Sequence, residues 1–253
     1  MSAIERIAQL GRENGRARVR DDDYNLCIPT IAAKSFSMTV EEARALIFLI
    51  SNLFKKACEE AGVEKSQIQG LRTKFRDAGR RSAPWKATSS RVPGRPQDGA
   101  DGNRTNRWLL PEDHKFYATE KIASLVEVKY YLQALSMRAA PPVNFCDIRS
   151  IFTPWLVEHE VLAGKYEDPI QLIPIDFYEF AADRRLVQSG HVHPLDRGGI
   201  HHPDNTFLML FRSNQIQGNL TVEELLNLMR TIVEKHDSAL QQNSELEKKL
   251  RKS

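Results

Sequence analysis

The stretch 187-VQSGHVHPLDRGGIHHPDNTFLMLFRSNQIQGN-219 holds four of the chain's seven histidines: His191, His193, His201 and His202. Leu186 to Leu195 reads as a strand, with Val187 and Val192 compatible with β structure and Pro194 near its end. The run 196-DRGG-199 reads as a turn, because glycine takes positive φ without steric cost. After 204-DN-205 an apolar run, Thr206 to Phe211, continues to Gln217 and stops at Gly218, which predicts a helix with a glycine stop. The outline is a hairpin followed by a helix.

Residue by residue, the stretch resembles the HNH branch of the His-Me finger (ββα-metal) nucleases. His191-Val192-His193-Pro194-Leu195 is similar to the HIxPL part of that family's motif. Gly198 and Gly199 match its paired glycines, Asn205 its middle asparagine and Asn214 its third position. The intervals also agree, 14 residues from His191 to Asn205 and 9 from Asn205 to Asn214. The resemblance covers only this part of the chain.

The resemblance implies metal-dependent phosphodiester hydrolysis. An imidazole with a pKa near neutrality can take a proton from the attacking water, and the resemblance gives that role to His191. It places Asn214 on a Mg²⁺ ion, with Mn²⁺ as a substitute, since a side-chain amide oxygen is a hard ligand. Asn205 would pin the loop across the hairpin. Where the family usually has aspartate before the base, this chain has Gly190; the Gly190-His191 pair is similar to the DRGH nucleases, which hold the metal through one asparagine. His193 is the rival for base or ligand, and His201 or His202 would contact phosphate. The chain lacks the CxxC pairs with which many HNH proteins bind structural zinc, so no structural zinc is expected and packing must hold the finger.

Beyond this stretch, 253 residues with 41% hydrophobic and 27% charged side chains describe a water-soluble globular chain. Cys27, Cys58 and Cys146 are odd in number and far apart, which argues against a disulfide framework and for a reducing, cytoplasmic setting. No window approaches the roughly 20 apolar residues of a membrane span, and the charge-interrupted N-terminus does not read as a signal peptide. The net charge of +3 is too small to argue for nucleic acid, so local charge must carry that argument.

Local charge is concentrated from Arg72 to Arg107, where ten Lys or Arg stand against three Asp. Arg72, Arg76, Arg80, Arg81, Lys86, Arg91, Arg95, Arg104 and Arg107, with Arg197 and Arg212 near the finger, are the candidate DNA contacts. Residues near 80–108, rich in Ser, Gly, Pro, Asn and Asp, read as a basic flexible loop that orders on contact.

The remaining sequence predicts helices. Ile4, Ile7 and Leu10 have helical spacing, whereas the mixed-sign run Arg12 to Asp23 reads as a solvated loop. Thr39 with Glu42 forms a capping-box pattern before a helix that ends at Gly62, and Ser66 begins another. Residues 113–138 carry an apolar helical stripe. The run 169-PIQLIPIDF-177 reads as a strand feeding the hairpin. Thr221 with Glu224 caps a C-terminal helix that could pair two copies.

The expected fold is therefore α+β, mostly helical, with an embedded ββα-metal motif. Residues 1–140 would form a helical recognition or scaffold region, and 141–253 a catalytic region with its ββα core near 185–219 and the C-terminal helix after it. The expected activity is a DNA endonuclease. Size, extra helices and the lack of zinc modules suit a type II restriction endonuclease, acting on double-stranded DNA as a homodimer beside a cognate DNA methyltransferase, with no membrane partner. A homing, nicking or non-specific nuclease is the alternative within the enzymes, and an inactive DNA-binding protein the alternative outside them.

Overall fold

The computed structural model describes residues 2–13, 18–82, 104–144 and 148–250, the stretch 242–250 by its backbone alone. Lys86, Arg91, Arg95 and Cys146 lie outside the described residues. Helices α1 (Ala3–Glu13), α2 (Asp21–Ala32), α3 (Val40–Glu60) and α4 (Lys65–Gly79) lead to a short antiparallel ladder of β1 (Arg81–Ser82) and β2 (Thr105–Asn106). Helices α5 (Glu120–Ala134), α6 (Ile148–Ile151) and α7 (Phe177–Ala182) follow, then the hairpin β3 (Val187–His191) and β4 (Thr206–Leu210), then α8 (Phe211–Gln217) and α9 (Val222–Leu250). The architecture is mostly helical α+β, with two two-stranded sheets among the described residues. No helix among them is long and apolar enough to cross a membrane.

Both capping boxes form. Thr39 Oγ1 accepts from the Glu42 amide while Glu42 accepts from the Thr39 amide, and Thr221 and Glu224 repeat the exchange. Gly62 ends α3 with φ +75°. The mixed-sign run turns out differently from its reading as a loop. Asp21–Asp23 open α2, where acidic side chains favour a helix N-terminus, and Asp23 is buried in an ion pair with Arg6.

The chain packs around α5. Every residue from Ala123 to Ala134 is buried, against α3, α4 and β4, so this helix is a central strut and not the one-sided stripe its sequence suggested. It begins at Glu120, seven residues later than the apolar spacing predicts, because Thr119 caps it, its hydroxyl accepting from the Ile122 amide. Phe54, Phe75 and Tyr131 form an aromatic cluster, the Phe75 and Tyr131 rings 5.0 Å apart. Each such side chain contributes about 1.5–3 kcal/mol by burial. Buried apolar residues from Ile7 to Leu208 form one connected core.

Helix α5 also seats the hairpin through its polar residues. Lys129 Nζ donates to the Pro203 carbonyl at 2.6 Å and lies over the Phe207 ring, and Gln133, one turn later, accepts from the Leu208 amide at 3.0 Å. The Leu208 carbonyl accepts from the Tyr166 hydroxyl, and the Leu210 amide donates to Asp168. The outer edge of β4, which would otherwise expose unpaired backbone groups, is thus covered by side chains.

Two expected elements are corrected. Thr206–Leu210 is a strand and not the first turn of a helix, because pairing with β3 satisfies its inner backbone groups and the side chains above its outer ones; the helix begins at Phe211. Residues 169–177 form no strand. Asp168 gathers the amides of Ile170 and Gln171 and the hydroxyl of Ser213, turning the chain back on itself.

Candidate active site

Strand β3 pairs antiparallel with β4 so that His191 stands opposite Thr206. Residues 192–205 join the strands. Gly198 takes φ +88°, and at Gly199 a Cβ would come within 2.1 Å of the His193 carbonyl oxygen, so only glycine fits. Asn205 ties the loop together: its Oδ1 accepts from the His193 amide at 2.7 Å, and its Nδ2 donates to the carbonyls of His193 and Ile200 at 2.9 and 2.8 Å. It sits immediately before β4 and not at the start of the helix, yet it pins the loop across the hairpin.

Helix α8 lies along β3. Gln217 donates to the carbonyls of His191 and Val192, both at 3.0 Å. One turn earlier, Asn214 Nδ2 donates to Gln188 Oε1 at 2.9 Å. Asn214 and Gln217 are three residues apart and share the helix face toward the strand, which sets Asn214 beside Gly190 and Gln217 beside His191. Ser213, bonded to Asp168, fixes the start of the helix.

A chain of hydrogen bonds settles which nitrogen of His191 is basic. His201 is buried and its Nε2 lies 2.7 Å from the Gly79 carbonyl oxygen at the end of α4. A carbonyl only accepts, so His201 Nε2 carries the proton and its Nδ1 is the acceptor. His191 Nε2 lies 3.2 Å from that Nδ1 and therefore donates. The lone pair of His191 is left on Nδ1.

Both imidazoles are neutral at pH 7. Burial, followed by the charge of Arg107, pushes His191 down to about 4, and the same two causes hold His201 well below its usual range. Arg107 is itself buried, donating at 3.1 Å to the carbonyls of Gly79, Ala78 and Phe116.

With its amide nitrogen committed to Gln188, Asn214 turns Oδ1 toward Gly190, 3.3 Å from where a Cβ would stand. That same Cβ would lie 2.4 Å from Met209 Cε, so the buried Met209 thioether fills the space an aspartate would need. Among the described residues no group of three or more His, Cys, Asp or Glu could cage a metal. One hard oxygen of fixed orientation fits a cation that keeps most of its waters, and a thioether is too soft to add to it.

His193 lies beyond the end of β3 and does not share a strand face with His191; its exposed ring turns to the Arg197 carbonyl at 2.9 Å. His202 stacks on Phe36 and accepts from the Asp204 amide.

The basic residues are distributed unevenly. Arg107 is internal. Arg72 donates to Ser51, and Arg80 lies over Trp108 and 3.9 Å from buried Glu127. Arg76, Arg81 and Arg104 share Asp77. Arg197 pairs with Glu224, and Arg212 is exposed on α8. Between α4 and β3 an open groove of about 910 Å³ is lined by Gly70, Lys74, Arg104, Arg184, Arg185 and Gln188. Gln188 connects it to Asn214. Arg184 and Arg185 lie outside the basic segment Arg72 to Arg107, and the sequence signal for them is an arginine pair just ahead of β3.

No protein-family model matches the chain, and no curated protein matches it. Among solved structures, one described as "Crystal structure of a type II restriction endonuclease" is similar over 49% of this chain and 55% of its own, with 18% sequence identity and a TM-score of 0.41.

Proposed function

We propose that this chain is a metal-dependent endonuclease acting on double-stranded DNA, with His191 as general base. The observation that carries the reading is the convergence at one hairpin: a neutral imidazole with its lone pair fixed on Nδ1, a loop closed by three bonds from Asn205, and a free amide oxygen of Asn214 on the adjoining helix. A merely structural hairpin needs none of these together.

In this reading His191 Nδ1 takes the proton from the water that attacks phosphorus, while His201 and Gly79 hold the ring in the productive tautomer. Asn205 and Gln217 fix the two ends of the segment that carries the base. Asn214 Oδ1 would hold Mg²⁺, or Mn²⁺ in its place, and the ion would offset charge developing on the scissile phosphate and its leaving oxygen. An anionic phosphate near the ring raises its basicity from the value in the free protein.

As subclass we propose a type II restriction endonuclease, on size and architecture. Cutting both strands of a palindrome then calls for a homodimer, and host protection calls for a cognate methyltransferase. One observation favours a second reading, a DNA-binding protein that has lost cleavage: the position of the usual aspartate is Gly190, and the Met209 thioether lies 2.4–2.5 Å from where its Cβ would stand.

The test is incubation of the purified protein with plasmid and Mg²⁺, beside EDTA and His191→Ala controls. Discrete, metal-dependent fragments absent from the variant are expected. A smear would indicate a non-specific nuclease and nicked circles a nicking enzyme. Binding without cleavage across several DNAs, methylated ones included, would favour the second reading.

A further inference from the structure

We propose that the groove between α4 and β3 is a binding site for the backbone phosphates of a DNA duplex, with Arg184, laid on Gly70, and Lys74 at its centre. The inference rests on the nuclease reading for its ligand, but on different residues.

The first observation is the seat of Arg184. A Cβ at position 70 would lie 1.8 Å from Arg184 Nη1, 2.5 Å from Cζ and 2.9 Å from Nε. The guanidinium therefore packs directly on the α4 backbone, in space that any side chain would take. A glycine within a 15-residue helix weakens that helix relative to alanine, and here it makes room for a cation.

The second is charge. Lys74, one turn after Gly70, donates to the Arg184 carbonyl at 2.7 Å and so ties the 183–186 connection to the helix. The nearby carboxylates are committed: Asp77 to Arg76, Arg81 and Arg104, and Asp183 to Arg185. Among the described residues the Arg184 guanidinium makes no ion pair. Burial, then the charges of Arg184 and Arg104, push Lys74 down to about 8. Cations crowded in this way attract an anion, and a planar guanidinium matches phosphate oxygens in pairs.

The third is position. Gln188 lines the groove and holds Asn214, so a phosphate chain lying along α4 runs directly to the hairpin.

The experiment measures binding of a short fluorescent duplex by anisotropy over a series of salt concentrations, in EDTA, so that no cleavage is needed. Arg184→Ala and Lys74→Ala should each weaken binding and reduce the slope of log K against log salt by about 1. Gly70→Ala should behave like Arg184→Ala, because the new methyl displaces the guanidinium, while its melting temperature stays at or above that of the wild type. Lys165→Ala, on an exposed surface outside the groove, should leave the slope unchanged. Wild-type slopes in all three groove variants would overturn the inference, whatever the plasmid assay shows. If instead inorganic phosphate raises the melting temperature of the wild type but not of Arg184→Ala, and the duplex slopes do not move, the site is one for a free anion and the duplex is excluded. Absence of plasmid cleavage by the wild type would count against the nuclease reading alone.

Discussion

The carbonyl of Gly79 decides the chemistry of a histidine more than a hundred residues away, because it fixes the His201 proton and through it the lone pair of His191. Nitrogen-resolved NMR of the free protein should find His191 protonated on Nε2 and bare on Nδ1. His201→Ala should mix the tautomers and lower kcat roughly 10- to 100-fold with KM little changed, whereas His201→Asn, which keeps an acceptor near the same place, should recover part of the loss. Unchanged tautomers in His201→Ala would sink the relay. The pH profile follows from the same residue. With His191 down at about 4, kcat/KM should fall only as pH drops toward 4, and the acid limb of kcat should lie higher, because bound phosphate favours the imidazolium. At Gly190, aspartate alone should not strengthen metal binding, since Met209 fills its space. Gly190→Asp with Met209→Ala should tighten Mg²⁺ in a calorimetric titration, and failure of the pair to do so would count against Asn214 as the ligand.

At the scale of elements, the ββα unit is short, and neighbours that carry buried polar groups hold it in place. Asp168 collects the backbone amides of Ile170, Gln171 and Leu210 and the Ser213 hydroxyl, joining the 168–171 turn, the end of β4 and the start of α8. Asp168→Asn puts an amide NH₂ where a carboxylate oxygen accepted, and should cost about 2–4 kcal/mol in denaturant unfolding. The proposed cleavage should fall with it, because α8 carries Asn214, the proposed metal ligand. Loss of less than about 0.5 kcal/mol would show that the turn stands without the carboxylate. The chain's long final helix contributes differently. Leu225 of α9 is buried, but Leu228, Met229, Ile232 and Val233 are exposed, and sedimentation across a range of concentrations checks the proposed homodimer.

For the molecule as a whole, His191 and His201 lower stability in acid, and Glu127 works against them: burial raises its carboxyl to about 7, so the folded chain takes up a proton there and gains stability as pH falls. His191 and His201 are both shifted down in the folded state, so the unfolded chain binds protons that the folded one refuses. Stability is therefore fully present above the unfolded histidine pKa of about 6.5 and declines as pH falls through His191's value of about 4. The loss from His191 should be on the order of 2–3 kcal/mol, seen in urea between pH 7 and pH 4 as a steeper fall of the midpoint in Glu127→Gln than in Glu127→Gln combined with His191→Asn. Equal pH dependence in those two variants would mean that the His191 ring is not held neutral by the fold.

What the sequence determined by itself is local. The gathering of His191, Gly198, Gly199, Asn205 and Asn214 around one hairpin and the helix after it is legible because these are short-range structures, in which intervals along the chain translate directly into positions. The capping boxes at Thr39 and Thr221 are legible for the same reason, since their bonds close over three residues. Tertiary structure decided everything that depends on which distant surfaces meet. It made Thr206–Leu210 a strand, because an apolar run satisfies either period until a partner strand and a covered edge choose one. It took Arg107 out of the basic segment and buried it against the end of α4, and brought Gly79 to His201 and Arg184 to Gly70. A sequence carries the charge and volume of each of these side chains, but only the packed core fixes whether a charge meets solvent, a carbonyl or another charge.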